Sequence, residues 1–396
     1  MRAHNQSLEI WRYVIVASLA VLGSIFIWAP VLFLLIFSVA VSTIKSGRAP
    51  AVACAAFFTF LFGWINSNKV PDGDWSWYLY HFQLLQDIPI YDYFGQVHMG
   101  VSARLTEPVY HVLAWILSIT TSAQPEVLAV VVTAIIYGSV AYFVTGTEAA
   151  LTATRLSGVY VALAIICAST IGITFTLTTH LVRQELAIAF LLGSLCLEMK
   201  MRRRPALALA MLAVLTHNSA IIPAFVLIFI VQVKLIRNSV IRKSLIGAAS
   251  LALLGFGYYF STSDEIYRFG DKNDGAIGLL TYVLDAAIVI GASSLLNTKS
   301  VGKLVKSFFI PFVAMYSLTV IGASQQPLAL LRMYFYFELI RVVGVTLICL
   351  WLAANRAFIV LSILSVVGFY YVSLRMDNSP FYFGGEFVDY FFARPI

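Results

Sequence analysis

Charged residues are scarce in this chain, and their scarcity excludes most classes of soluble protein. Only 11% of the 396 residues are Asp, Glu, Lys or Arg, and 60% are hydrophobic, whereas about a quarter of a soluble domain is charged. The apolar runs are long and continuous, without the alternation of a barrel strand. The sequence therefore predicts an all-α, polytopic integral membrane helical bundle, a single domain over residues 1–396.

The chain also offers little cysteine and no visible internal repeat or low-complexity segment. The four cysteines are Cys54, Cys167, Cys196 and Cys349. All four fall within apolar runs, which is typical of packed thiols and gives neither a disulfide pattern nor a metal set. The net charge of +7 comes mainly from short basic clusters between apolar runs. Such clusters are typical of cytoplasmic loops and do not indicate nucleic-acid binding.

The basic clusters predict how the bundle is oriented. The triple arginine 202–204 and the basic segments 234–243 and 299–306 are expected to be cytoplasmic. This arrangement gives about 11 full transmembrane helices plus re-entrant segments, with the N-terminus inside and the C-terminus outside. The segments predicted to be external are the loop 67–107, the loop 262–276 and the tail 375–396.

Two apolar segments differ from ordinary spans. Segment 108–120 is short, at a length that suits a re-entrant or interfacial helix. Segment 205–233 is basic at both ends and carries His217 and Pro223 near its middle. It is either one steeply tilted helix or a broken hairpin that enters and leaves on the cytoplasmic side, and the charges favour the hairpin.

Ionisable residues inside the apolar sequence define the candidate site. An arginine or histidine at the centre of a membrane helix costs roughly 2.5 kcal/mol or more, and it normally faces a cavity or a partner. Arg183, with Gln184 beside it, and His217 are residues of this kind. With the predicted topology, further polar residues collect on the same external face. These are Asp74, Arg104, Glu107, Arg268 and Arg332.

The residue types on this face suit a phosphorylated lipid that carries sugar. Planar arginine side chains form bidentate hydrogen bonds to phosphate and stay charged when partly desolvated, so converging arginines suit a lipid phosphate or diphosphate. A carboxylate or histidine beside them can take a proton from a sugar hydroxyl. The aromatic residues of the loop 67–107 can stack on sugar faces, or they can form an interfacial belt on one face of a helix.

Each candidate also has a purely structural interpretation. Asp72-Gly73-Asp74 is similar to the DxD of metal-dependent sugar transferases, but a lone DGD after a proline is usually a turn. Glu107, before Pro108, can stabilise the start of a helix.

The basic candidates have structural alternatives as well. Arg183 and Arg332 can extend to lipid headgroups from a helix start. His217 can be a packed histidine, and Arg104 and Arg268 can be ordinary loop charges.

The order of these residues resembles a known family. In chain order the matching features are Asp74 with Tyr78 and Phe82, then Glu107, then Arg183-Gln184 with Ala187 and Ala189, then His217 with Ser219, and finally Arg332-Met333-Tyr334. This pattern covers roughly residues 10–375 and resembles the EpsG branch of the Wzy-type polysaccharide polymerases. The block from Arg-Gln-x-x-Ala to His-x-Ser is its most specific part. The aromatic C-terminal tail matches nothing in the family pattern.

The resemblance implies a GT-C-like fold and a glycosyltransferase of the bacterial inner membrane with its active site facing the periplasm. It implies polymerisation of O-antigen or exopolysaccharide repeats from undecaprenyl-diphosphate-linked donor and acceptor oligosaccharides, with no cofactor, metal or nucleotide sugar. Membrane lipids, a chain-length regulator and a flippase are the other expected partners, and nucleic acid is not. An O-antigen ligase-like transferase and a polysaccharide transporter or flippase are the alternatives.

Residue roles follow from the same reasoning. His217, Glu107 and Asp74 are the catalytic candidates. We favour His217 as the base because its ordinary pKa lies near neutral pH, and because neighbouring polar residues can fix its tautomer. The two carboxylates would then orient the acceptor sugar, although either can act as the base if desolvation raises its basicity. The substrate-binding candidates are Arg183, Gln184, Arg332, Tyr334, Tyr78, Arg104 and Arg268.

Overall fold

The computed structural model describes residues 18–19, 23, 29–43, 48–95, 97–98, 101–102, 107–151, 156–262, 278–299 and 301–392. Within them the chain is almost entirely helical, with one antiparallel ribbon of two-residue strands. Two predicted substrate-binding residues, Arg104 and Arg268, lie outside the described residues, as does most of the predicted loop 262–276.

The described elements alternate long helices with short caps and turns. The helices are α1 (Pro30–Thr43), α2 (Ala49–Ser67), α3 (Gly73–Asp87), α4 (Ile90–Gly95), α5 (Pro108–Thr121), α6 (Pro125–Leu151), α7 (Gly158–Cys167), α8 (Val182–Met199), α9 (Arg203–Thr216), α10 (Ile221–Val233), α11 (Ser239–Ser261), α12 (Leu279–Ser294), α13 (Gly302–Leu304), α14 (Ile310–Ala323), α15 (Pro327–Tyr334), α16 (Phe337–Ala354), α17 (Phe358–Asp377) and α18 (Asp389–Phe392). The strands are β1 (Val97–His98) and β2 (Val101–Ser102). Two π-helical segments, Ala168–Gly172 and Val305–Phe309, extend α7 and join α13 to α14.

Seven helical segments of the described chain are long and apolar enough to cross a membrane. They are α2, α6, α11, α12 with its 3-10 extension, α13 with α14, α15 with α16, and α17. Four shorter apolar helices accompany them. The prediction of a polytopic helical membrane protein is confirmed. The exact number of spans stays a prediction, because residues 1–17, 20–22 and 24–28 of the apolar N-terminal part lie outside the described residues.

Large apolar side chains cover the outside of the bundle. Leu251 of α11 is 70% exposed, Ile290 of α12 is 69% exposed, and Ile359 and Val366 of α17 are 73% and 69% exposed. A water-soluble monomer seldom exposes contiguous apolar patches larger than a few hundred Å². These faces are therefore suited to contact with lipid chains.

The interior combines ring stacking with close helix crossings. The Phe62 ring centroid lies 4.8 Å from that of Tyr137 on α6 and 5.0 Å from that of Phe175. Helices α11 and α14 cross at Gly257 and Gly322, where an added Cβ would overlap a backbone carbonyl of the facing helix. Small residues let membrane helices approach this closely, so that dispersion contacts hold them together.

Helix α5 does not cross the bundle: both of its ends lie near the end of the bundle where α8 begins. Its 14 residues span about 21 Å at 1.5 Å each, which is short of the roughly 30 Å hydrocarbon core. Glu107, just before α5, contacts Arg183 at the start of α8. After α5, the chain enters α6, where Val130 packs against Gly63 near the end of α2. The short segment is therefore not an ordinary span, as the sequence predicted.

Helices α9 and α10 form a broken hairpin beside α8. At one end, Arg203 lies 3.8 Å from Glu198, and Gln232 of α10 lines the same small cleft as both. At the other end, the backbone of Asn218 reaches Glu107 beside the start of α8. The chain between them has extended geometry at His217 and a 3-10 turn after it. Segment 205–233 is therefore a hairpin interrupted at the predicted histidine, and the side of the membrane on which it opens stays a prediction.

Candidate active site at the end of the bundle

A cavity of about 600 Å³ opens at the end of the bundle where α8 begins. Helices α3, α8, α12, α15, α16 and α17 and the segment before α8 supply its walls. The charged and titratable side chains that line it are Asp74, His180, Arg183, His217, Arg332, Tyr78, Tyr334, Glu338, Arg341 and Arg375. Four arginines against two carboxylates make the cavity basic, although the sequence predicted only two of them, Arg183 and Arg332, as members of the site.

An ion pair between Glu107 and Arg183 lies beside this cavity. The Arg183 side chain is 24% exposed and lines the cavity, whereas that of Glu107 is fully buried. The Arg183 Nε donates to the Tyr78 hydroxyl at 3.4 Å, and one guanidinium nitrogen donates to the Glu107 carboxylate. Two separate contacts fix the plane of the guanidinium, which leaves its remaining N–H groups to face a ligand.

The apex of the broken hairpin is attached to the same carboxylate. The Asn218 N–H donates to Glu107 Oε1 at 2.9 Å, and His217 Nδ1 lies 3.8 Å from that oxygen. One buried carboxylate thus holds both Arg183 and the hairpin apex in place. Charge-assisted contacts of this kind are stronger than neutral hydrogen bonds. Glu107 does not line the cavity, so its position suits orientation of other residues.

The hydrogen bonds of His217 define its neutral tautomer. The Ser219 N–H donates to His217 Nδ1 at 3.2 Å, and the Ser219 hydroxyl lies 2.7 Å from the same atom. Because Nδ1 is an acceptor, the neutral ring carries its proton on Nε2. The Ser219 hydroxyl then donates to Nδ1, and the Tyr336 hydroxyl, 3.1 Å away, donates to Ser219. In this state His217 presents an N–H donor.

Asp72-Gly73-Asp74 forms the turn that begins α3. Asp72 is the N-cap, and its carboxylate accepts the Gly73 N–H at 2.6 Å. Gly73 has φ +50, a left-handed conformation that favours glycine, and a Cβ there would meet the His180 ring. Asp74 is exposed and lines the cavity. Among the described residues no group of three or more His, Cys, Asp or Glu is arranged to hold a metal ion.

The aromatic residues of segment 67–107 divide between packing and the site. Trp75, Phe82 and Tyr93 are 2% exposed or less and belong to the hydrophobic core. Tyr78 lines the cavity, and its ring centroid lies 5.8 Å from the Arg183 guanidinium. Most of this aromatic sequence therefore anchors α3 to the bundle, and Tyr78 is its member at the site.

A buried ionic network forms the floor of the cavity. Arg341 of α16 donates from Nε to Asp285 Oδ1 at 2.6 Å and from a terminal nitrogen to Thr174 Oγ1 at 3.1 Å. Tyr334 donates to the other Asp285 oxygen, and Glu338 Oε1 accepts the Thr174 N–H at 3.0 Å. Sequence analysis singled out only Tyr334 of this network and missed its ionic pair, Arg341 and Asp285. The available signal was an arginine and an aspartate, each isolated within an apolar run.

The C-terminal strap, residues 378–392, forms a further wall. The Val70 N–H donates to the Tyr382 carbonyl at 3.0 Å, and the Lys69 Nζ lies 3.7 Å from the Phe381 ring centroid. The Phe381 ring also lies 4.2 Å from that of His180. Burial lowers the pKa of Lys69 to about 7. The aromatic tail, in which sequence analysis found no recognisable motif, is thus part of the site.

Comparison with known families decides the classification. Residues 51–392 match the sequence model of the EpsG family. The chain belongs to the EpsG family. Comparisons with functionally curated proteins and with solved structures gave no significant match. Membership of this family supports a polysaccharide polymerase-like, glycosyltransferase-like function for a multi-pass membrane protein.

The family match spans every described member of the predicted site, from Asp74 to Tyr334. The structure brings most of the predicted residues to one cavity: Asp74, Tyr78, Arg183, Gln184, His217, Arg332 and Tyr334. Glu107 lies behind the cavity wall and reaches it through Arg183. The specific role predicted for each residue stays a prediction.

Proposed function

We propose that this EpsG-family protein is a Wzy-type polysaccharide polymerase. It joins oligosaccharide repeats that are linked to undecaprenyl diphosphate, at the periplasmic face of the bacterial inner membrane. The growing chain moves from its lipid diphosphate to a sugar hydroxyl of a new lipid-linked repeat. The proposal includes a GT-C-like architecture and a reaction that needs no metal or nucleotide sugar.

The observation that carries this proposal is the convergence of four arginines on one cavity at the end of a membrane bundle. A lipid diphosphate is anionic and stays at the membrane surface, where this cavity would meet it. Negative charge increases on the diphosphate as it leaves, and fixed cationic donors that strengthen with that charge lower the barrier directly. Arg183 suits this role because Tyr78 and Glu107 hold its guanidinium in place.

The proposed chemistry is a single displacement that uses residues of this chain alone. The acceptor hydroxyl oxygen attacks the anomeric carbon of the donor sugar, and its proton passes to a protein base. The bond from the anomeric carbon to the diphosphate oxygen breaks, and undecaprenyl diphosphate leaves with the bonding electron pair. A well-placed general base contributes about 10²- to 10⁴-fold to such a step.

The geometry favours Asp74 as that base, in place of the histidine that sequence reasoning favoured. His217 already accepts at Nδ1 and carries a proton on Nε2, so it serves better as a donor to a phosphate or sugar oxygen. Glu107 is fully buried and engaged by Arg183 and Asn218. Asp74 is an exposed carboxylate at the cavity, and a carboxylate there can accept a proton directly.

Complementation in cells that lack the chain tests the proposal. Wild-type protein should restore a polymer ladder, whereas Arg183→Lys should leave single lipid-linked repeats, because lysine lacks the planar fork. Arg237→Lys is the matched control, since Arg237 is exposed and remote from the cavity, and it should polymerise normally. Full polymerisation by Arg183→Lys would contradict the assignment.

The same cells distinguish the alternative functions. A ligase-like transferase would leave polymer formed on its lipid but not transferred to a final acceptor. A flippase would leave the single repeats on the cytoplasmic face of the membrane. The proposed polymerase predicts single repeats that accumulate on the periplasmic face.

A further inference from the structure

The arginines of the cavity differ in how their charge is balanced. Arg183 pairs with Glu107, and Arg341 pairs with Asp285. Arg375, near the end of α17, contacts two neutral hydroxyl groups instead. Within the part of the chain that the structure describes, no carboxylate lies within ion-pair distance of the Arg375 guanidinium. Its positive charge is therefore not neutralised by a partner there.

The two hydroxyl contacts hold the Arg375 side chain in one orientation. Its Nε donates to the Tyr371 hydroxyl at 2.9 Å, one turn earlier on α17. A terminal nitrogen donates to Thr281 Oγ1 at 3.0 Å, on α12. A guanidinium has five N–H donors in a planar fork, so these contacts fix the plane and leave donors for a ligand. An arginine that only contacts lipid headgroups would not need hydrogen bonds to side chains of two helices.

Arg375 and Arg183 line one cavity from different walls. The partners of Arg183 belong to α3 and to the residue before α5, whereas those of Arg375 belong to α12 and α17. The two arginines share no partner among these contacts. An anion in the cavity can therefore meet two independently positioned guanidinium groups.

We propose that Arg375 is a second phosphate-binding residue of this cavity, held in place by the Tyr371 and Thr281 hydroxyls. The ligand group is a phosphoryl group of a lipid diphosphate, and the inference rests on the proposed function for that choice. Tyr371 and Thr281 are positioning residues, since they contact the guanidinium and act through it. No sequence motif marked any of the three.

Direct binding of farnesyl diphosphate, a water-soluble polyprenyl diphosphate, to the purified full-length protein in detergent tests this inference. Calorimetry should show that Arg375→Gln weakens binding roughly 10- to 150-fold, as expected for the loss of one charge-assisted contact. Tyr371→Phe and Thr281→Val keep the charge and should weaken binding only about 2- to 10-fold. Arg237→Gln, on the remote exposed surface, should bind as the wild type does.

The binding results distinguish a phosphate-binding role of Arg375 from other roles. Equal affinity in wild-type protein and Arg375→Gln would overturn the inference. Competition by phosphatidylglycerol but not by inorganic diphosphate would also overturn it, because Arg375 would then anchor a lipid headgroup. If Arg375→Gln fails to fold, unchanged affinity in both hydroxyl variants still refutes the positioning argument.

The binding assay does not involve polymerisation, so it can refute the role of Arg375 and the proposed polymerase function separately. Wild-type protein that binds farnesyl diphosphate through Arg375 but makes no polymer refutes the proposed function alone. Wild-type protein that polymerises while Arg375→Gln retains full affinity refutes only this inference.

Discussion

Glu107→Gln should damage the site without destroying the fold. The amide oxygen of glutamine can still accept the Asn218 N–H that holds the hairpin apex. The variant loses the negative charge opposite Arg183. Breaking a fully buried ion pair costs about 3–5 kcal/mol. The Arg183 side chain is 24% exposed and can turn to water, so we expect the smaller cost of a charged hydrogen bond, about 1.5–3 kcal/mol.

The displaced Arg183 then loses one such contact to the departing diphosphate in the transition state, so kcat/KM should fall roughly 10- to 150-fold, at 1.36 kcal/mol per tenfold change. The assay is the rate of polymer formation by purified protein as a function of pH. Because Glu107 is assigned to positioning, the acidic limb of the pH–rate profile should persist in Glu107→Gln. It should disappear in Asp74→Asn, which removes the proposed base.

Glu126→Gln is the control, since Glu126 is exposed at the start of α6 and should retain full activity. The opposite pattern, in which Glu107→Gln abolishes the acidic limb and Asp74→Asn retains it, would overturn both assignments. Glu107 would then be the base, and Asp74 would be an ordinary turn residue.

Three further predictions concern the framework of the site. Arg341→Leu should lower the free energy of unfolding in detergent by about 3–5 kcal/mol, because it leaves Asp285 buried without its cation. Thermal unfolding should show that the double variant, Arg341→Leu with Asp285→Leu, is less destabilised than either single variant. Gly257→Ala should lower the unfolding temperature because its Cβ would overlap a carbonyl of α14, whereas Gly255→Ala, which faces open space, should not. Because burial lowers the pKa of Lys69 from 10.5 to about 7, the folded state holds fewer protons than the unfolded state between these values, and stability should rise with pH across that window. Lys69→Met should remove this pH dependence of stability. An unchanged slope of unfolding temperature against pH in Lys69→Met would contradict the lowered pKa of Lys69.

The sequence was most informative where an ionisable residue interrupts an apolar segment. Arg183 and His217 interrupt apolar sequence, and the cost of placing them in lipid predicts a cavity. The same logic predicted the break at His217, because basic residues flank both arms of the segment. The short length of segment 108–120 was enough to exclude an ordinary span.

Contacts between residues far apart in the sequence could not be predicted in this way. Asp285 and Arg341 lie 56 residues apart, and no local pattern says that they meet. The tautomer of His217 depends on a backbone N–H two residues later, so it could be assigned only from geometry. The strap returns to Lys69 and Val70 from the far end of the chain, and its aromatic residues alone do not indicate that contact.

The proposed polymerase needs no sugar donor other than lipid-diphosphate-linked repeats. The most direct test reconstitutes the purified protein in liposomes with the single lipid-linked repeat extracted from cells that lack the chain. No nucleotide sugar is added. We expect a ladder of polymer lengths and the release of one undecaprenyl diphosphate for every linkage formed. Release of undecaprenyl diphosphate without longer chains, or a ladder that appears only when a nucleotide sugar is supplied, would contradict the proposed function.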